Sequence, residues 1–275
     1  MHRARAGWLL AGLAATVACT VSTETERELG VDYAASVDSQ VPMLEDSIVV
    51  QYVTRLGRSL ASHTSRADLD WRFKVANVSA VNAFALPGGF VYVTRGLIEH
   101  SDSLDQLAGV MGHEIGHVVR RHNIKQLEEA ERRDVGIVAL CTLTRFCRSL
   151  GGAIAVRIGA EADAAQYSQA QETEADSEGV VNTVRAGIDP EGLPQFFAKL
   201  LAQRTEDPTP IDAFFATHPT DEARIVAVRR QIAKAGVRPA ALLRDRPDFH
   251  AMLDHLRSLP PPPQYDTVDV ATRVH

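Results

Sequence analysis

The sequence predicts a mainly helical α+β domain with one small β-sheet. Three observations predict it. Apolar residues recur at helical spacing on both sides of the chain's middle. Trp71 to Val78 and Phe90 to Thr94 read as short strands. Pro87-Gly88-Gly89, between strand-like segments, reads as a turn.

Taken in order, the chain opens with a short basic region, His2, Arg3 and Arg5, and an apolar run from Trp8 to Ala18. That run is shorter than the roughly 20 residues of a membrane span and reads as a secretory signal. It ends at Val17-Ala18-Cys19, which resembles a bacterial lipoprotein signal with Cys19 as the lipidated residue. Thr20 after it resembles outer-membrane sorting. Residues 20–40 are polar, a tether or an early helix. From about 42 to 62, Ile48, Tyr52, Leu56 and Leu60 mark a helix, with Val49 and Val53 alongside. Trp71, Phe73 and Val75 alternate inward along the first strand.

Phe84 and Leu86 share one side of the segment before the Pro-Gly-Gly turn. Ser103 and Gln106 form a predicted capping box for a helix reaching about Asn123, with an extension to Arg133 open. The Gly-rich stretch 136–160 reads as a buried helix, a loop over a cleft or a membrane-contacting flap. A helix over 162–186 stops at Gly187, and Asp189-Pro190 opens the next, carrying Leu193, Phe196, Phe197 and Leu200. A loop at 205–213 precedes a helix over 221–235. Beyond Gly236 the signal weakens, and a Pro-rich stretch leads into an extended tail. The organisation is therefore a signal over 1–19, a tether over 20–40, one domain over 41–240 and an extension over 241–275.

Composition narrows the class. Hydrophobic residues at 45% and charged residues at 23% exclude a disordered, collagen-like or polytopic membrane chain. The net charge of -6 speaks against nucleic acid as a partner. Three cysteines are too few for a disulfide scaffold, and with Cys19 lipidated, Cys141 and Cys147 remain as a candidate disulfide.

The strongest local feature is His113-Glu114-Ile115-Gly116-His117, the HExxH pattern. Histidines at i and i+4 share a helix face and can bind one Zn2+ ion, one ion per chain. Glu114, one step round, is placed to take a proton from water at that ion. A catalytic zinc site needs a third protein ligand. The acidic helix Gln171-Glu172-Thr173-Glu174-Ala175-Asp176 is the evident source. Glu172 and Asp176 face the same way, one as ligand and one as hydrogen-bond acceptor from a ligand imidazole. Geometry alone leaves open which is which, while Glu174 and Glu178 read as a solvated face. Thr217-His218-Pro219, followed by Arg224, is placed to fold back over the metal.

Together these residues resemble the family of membrane-associated zinc peptidases that includes the CAAX prenyl protease, HtpX and BepA, in particular its small periplasmic lipoprotein members. The family pairs HExxH with a later ExxxD, here Glu172-Thr173-Glu174-Ala175-Asp176. The similarity also covers Asn82 to Gly89 and Thr94-Arg95-Gly96-Leu97. It implies a zincin-like (gluzincin) fold, Glu172 as third zinc ligand and Asp176 behind the ligands. It further implies His218 as a regulatory or assisting group, and His122 as a family histidine off the ligand face. The strand Asn82, Ala83, Phe84, Ala85 and Leu86 would pair with an extended peptide. The expected activity is zinc-dependent endoproteolysis of unfolded or misassembled cell-envelope proteins, with Glu114 as general base. The expected setting is the periplasm, on a lipid anchor in the outer membrane, with outer-membrane assembly proteins as partners. The alternative is a non-catalytic, zinc-stabilised chaperone or scaffold for outer-membrane proteins.

Overall fold

The computed structural model describes residues 21–133, 167–207, 209–236 and 241–263. The predicted signal with Cys19, the pair Cys141 and Cys147, the stretch 136–160 and the end of the tail lie outside the described residues. The helices are α1 (Thr23–Gln40), α2 (Ser47–Ala61), α3 (Arg95–His100), α4 (Leu104–Val119), α5 (His122–Arg133), α6 (Gln169–Arg185), α7 (Gly192–Gln203), α8 (Asp212–Thr217), α9 (Glu222–Lys234) and α10 (Pro247–Ser258). The strands are β1 (Arg72–Ala76), β2 (Ala83–Leu86) and β3 (Phe90–Thr94). The expected helical α+β architecture is thus the one observed. None of the described helices is long and apolar enough to cross a membrane.

The sheet has the order β1-β3-β2. β3 runs parallel to β1 and antiparallel to β2, with Phe84 opposite Tyr92 and Leu86 opposite Phe90. The reversal from β2 to β3 is a 3-10 turn over Pro87–Gly89, in which Gly88 (φ 76°) and Gly89 (φ 101°) take left-handed backbone that glycine adopts without a Cβ clash. Among the described residues β2 is therefore an edge strand, with a strand neighbour on one side only.

The stretch 20–40, open between tether and helix in the sequence, is helix α1, capped by Ser22, whose Oγ accepts from Thr25 N. It packs onto the sheet through Tyr33, Ala34 and Val37, which bury with Leu86, Phe90 and Tyr92. Gly30 permits this approach, since a Cβ there would lie 2.1 Å from the Pro87 carbonyl oxygen. The buried Glu26 of α1 accepts from Arg66 at 2.7 Å and from Arg121 at 2.8 Å.

Several boundaries differ from expectation. α2 buries Val49, Tyr52, Val53, Leu56 and Leu60, but Ile48 faces solvent at 52% exposure, because the buried stripe begins one residue later. The capping box expected at Ser103 does not form. Gln106 Oε1 instead accepts from Asp102 N, and Ser103 Oγ turns to Asp105. A capping box does form at Ser168 and Gln171, so α6 starts at Gln169. The central helix stops at Val119, and Arg121, with φ 56°, separates it from α5. Pro190 lies ahead of α7 rather than at its first position, because Asp189 Oδ1 accepts from Glu191 N and tightens a turn there. The extension after 240 contains a core helix, α10. Its Phe249, Met252, Leu253 and Leu256 are buried, with Phe249 against Tyr52.

Candidate metal centre

Helix α4 is the middle of the molecule, and its side chains from Leu104 to Val118 are all buried. Its partner is α6. The two helices approach closely because Gly116 lacks a Cβ that would lie 2.7 Å from the Ala175 carbonyl oxygen. This contact sets His113 and His117 of α4 opposite Glu172 and Asp176 of α6. The turn after α8 brings in His218.

Four buried side chains converge: His113, His117, Glu172 and His218 offer donor atoms all within 4.8 Å of one another. His117 Nε2 lies 3.0 Å from His113 Nε2, and His218 Nδ1 lies 3.3 Å from His113 Nε2. Glu172 Oε1 is 3.2 Å from His218 Nδ1 and 3.4 Å from His117 Nε2. Asp176 does not enter this cluster. Its Oδ1 is 2.9 Å from His113 Nδ1, the opposite ring nitrogen. Arg224 binds Asp176 through Nε at 2.9 Å and Nη2 at 2.8 Å, and its Nη1 contacts Glu172.

The outer contacts assign the tautomers. Asp176 accepts from His113 Nδ1–H, so His113 Nε2 carries the lone pair. His122 Nε2 donates to Glu174 Oε2 at 3.2 Å, so its Nδ1 accepts the His117 Nδ1–H at 2.8 Å. His117 Nε2 is then also a lone pair. Two such lone pairs 3.0 Å apart repel each other unless a cation sits between them. The nitrogen-rich donor set with one carboxylate oxygen suits a divalent ion such as zinc. The residues present therefore fit a metal.

Electrostatics separate the carboxylates. Burial would raise Glu172, but the imidazoles of His218, His113 and His117 packed around it outweigh that and hold the group well below the usual carboxylate range. Burial pushes Glu114 up, against the opposing pull of the neighbouring His218 and His113 imidazoles. Both Glu114 oxygens are buried without a hydrogen bond among the described residues, and Oε1 is 3.2 Å from His218 Nε2. Burial pushes His117 well below the ordinary histidine range, so it is neutral, as a ligand must be.

All the residues singled out in HExxH, ExxxD and Thr217-His218-Pro219 meet at one place, with Asn82 at its border through Thr217 Oγ1 at 3.3 Å. Glu174 is exposed, as the solvated-face reading has it, and in addition accepts from His122. Arg224, Tyr167 and Asn123 went unassigned. Tyr167 stacks on the His117 ring at 3.7 Å, and its hydroxyl donates to Asn123 Oδ1. No spacing rule ties these residues to HExxH; only Arg224 gave a hint, standing six residues after His218.

A helix-borne histidine pair, a carboxylate from a second helix and a free glutamate beside them define the class as a metal-dependent peptidase. The model of Peptidase family M48 matches residues 48–232, and the chain belongs to that family. The beta-barrel assembly-enhancing protease of Escherichia coli K12 is 32% identical over 77% of this chain, and the match spans 45% of that relative's length. The mitochondrial metalloendopeptidase OMA1 of Schizosaccharomyces pombe is 27% identical over 79% of this chain and 64% of its own. The metalloprotease LoiP of Escherichia coli K12 is 27% identical over 84% of this chain and 90% of its own.

Proposed function

We propose that this chain is a zinc endopeptidase that cleaves unfolded or misassembled proteins of the cell envelope. The observation that carries the reading is Glu114: a fully buried carboxyl whose oxygens have no hydrogen bond among the described residues, directly beside the His113, His117 and Glu172 donors. A site meant only to hold a metal has no use for it.

In this reading His113, His117 and Glu172 hold the ion, and Asp176 fixes the His113 ring from behind. When bound, zinc supplies Lewis-acid chemistry, acidifying water and polarising the scissile carbonyl. Glu114 takes the proton of the attacking water and passes it to the leaving amine. His218 Nε2, 3.2 Å from Glu114, is placed to restrain or assist the base. β2, an edge strand from Ala83 to Leu86, supports pairing with an extended peptide backbone with little demand on side chains. The name of the beta-barrel assembly-enhancing protease supports an envelope role with outer-membrane assembly proteins as partners. A lipid anchor on Cys19, in the periplasm at the outer membrane, belongs to the same reading.

The test is a paired assay on reduced casein with zinc-loaded wild type and Glu114→Gln. Cleavage by wild type alone, at equal zinc content, is the expected result; equal cleavage by both rejects the mechanism. One observation favours the scaffold reading: His218 joins the donor cluster, and four protein donors are the pattern of structural zinc. If wild type, Glu114→Gln and His218→Ala are all inactive with zinc bound, the scaffold reading replaces the enzymatic one.

A further inference from the structure

The open edge of β2 is already engaged by side chains. Thr94 N donates to Asn82 O, and Asn82 N donates to Thr94 Oγ1, so Asn82 faces β3. In an antiparallel ladder the outward groups alternate with these, which turns the polar groups of Ala83 and Ala85 to the free side. There Ala83 N–H is bound by Asn82 Oδ1 at 2.9 Å, and Ala85 C=O accepts from Asn123 Nδ2 at 2.7 Å. Asn123 stands on α5, six residues beyond His117. Its other carboxamide atom, Oδ1, accepts from the Tyr167 hydroxyl. The Tyr167 ring lies on His117, 3.7 Å between centroids and 23° between planes. One continuous set of contacts therefore runs from the edge strand to the metal centre.

An added strand lies about 4.8 Å from its neighbour and binds these same outward carbonyls. Asn123 fills that place at Ala85. We infer that Asn123 stands in for the backbone N–H of an extended peptide and holds the edge closed, and that a substrate strand enters by displacing it from Ala85 and from its Tyr167 anchor. This rests on the reading of β2 as the substrate strand. Asn123 and Tyr167 are then positioning residues: they set how readily an extended backbone reaches the centre, and they take no part in bond cleavage. If Asn123 served only to pin α5 to the sheet, its removal would loosen the site and weaken binding.

The two roles move affinity in opposite directions. The experiment uses the zinc-loaded chain carrying Glu114→Gln, with binding of a fluorescein-labelled casein peptide read by anisotropy, so that no turnover is needed. Asn123→Ala and Asn123→Asp, neither of which can donate to Ala85, are expected to bind the peptide about threefold to tenfold more tightly, the worth of one competing hydrogen bond. Tyr167→Phe keeps the ring and loses the anchor, and a smaller gain in the same direction is expected. In the Glu114 background the same Asn123 variants should lower KM and leave kcat nearly unchanged. Unchanged or weaker binding by both Asn123 variants, at wild-type zinc content and melting temperature, overturns the inference, as does failure of every form to bind the peptide. A fall in kcat in Tyr167→Phe without a change in affinity overturns the anchoring role of Tyr167. Tighter binding without cleavage by any form leaves this inference standing and sinks the peptidase reading instead.

Discussion

His122 Nδ1 lies 2.8 Å from His117 Nδ1, and this contact makes a histidine off the HExxH face part of the metal centre. Glu174 completes the line by accepting from His122 Nε2. A buried imidazole so held presents one nitrogen, in one tautomer, to the ion. His122→Ala is expected to weaken zinc binding about 10–100-fold. Competition against a chelator of known affinity reads this directly. Unchanged affinity would reduce His122 to packing.

Arg224 joins Glu172 to Asp176 and covers them with a guanidinium lying 4.6 Å over the Phe197 ring. Without it, two buried carboxylates lose the guanidinium they share. In metal-free protein, Arg224→Met is expected to cost about 3–5 kcal/mol, as when one partner of a buried pair is removed. Urea unfolding in EDTA measures it. Zinc should restore part of the loss, because the ion supplies the missing positive charge to Glu172. A loss under 1 kcal/mol would show that the carboxylates find other partners.

Glu26 is the corresponding link on the far side. It is buried on α1 and binds both Arg66 and Arg121, and Arg66 also donates to the Val118 carbonyl at 3.0 Å. The first helix thereby fastens the break between α4 and α5. Glu26→Ala removes the carboxylate that both guanidinium groups share and leaves them only carbonyl acceptors, and a loss of about 1–3 kcal/mol is expected. A lower melting temperature should come with lower zinc affinity, since His122 starts the helix after that break. A fully stable Glu26→Ala protein would mean that α1 adheres through Tyr33 and Val37 alone.

Asp46 caps α2 and binds His255 of α10 at 2.9 Å. The His255 hydrogen bond holds the Asp46 carboxyl below its ordinary value of 3.8. The native state then binds fewer protons than the unfolded chain in this range, so stability rises with pH there. The contribution is complete above pH 3.8 and is lost as pH falls through the lowered native value. Asp46→Asn keeps a capping side chain and removes the charge. Its melting temperature should fall below wild type at neutral pH and converge with it in strong acid. A gap that stays constant with pH would assign the effect to capping alone.

Part of the molecule was legible because its physics is local. Histidines at i and i+4, or Glu172 and Asp176 at the same spacing, share a helix face whatever the rest of the chain does. Gly88 and Gly89 announce a turn because their backbone needs it. Other features were not legible because they depend on competition between partners. Ser103 had the residues of a capping box, yet Asp105 took its hydroxyl and Asp102 took Gln106. Glu174 is on the surface as its spacing implies, but its contact with His122 depends on where α5 is placed. α10 carries only a short apolar stripe, and its place in the core depends on the surface that α2 offers it.

By itself, then, the sequence determined the class of fold, the two histidines and glutamate of HExxH, the acidic partner helix and the family to which they belong. Each follows from spacing along a single element. Tertiary structure alone decided the assembly around them: His122 and Glu174 behind His117, Arg224 between the carboxylates, and Asn123 and Tyr167 on the edge of β2. Apart from His122 with His117, five residues away across the break at Arg121, those contacts join elements far apart in the chain, where no helical or strand period relates one residue to another. The close approach of α4 and α6 at Gly116 sets the distance between the two helices that carry His113, His117, Glu172 and Asp176.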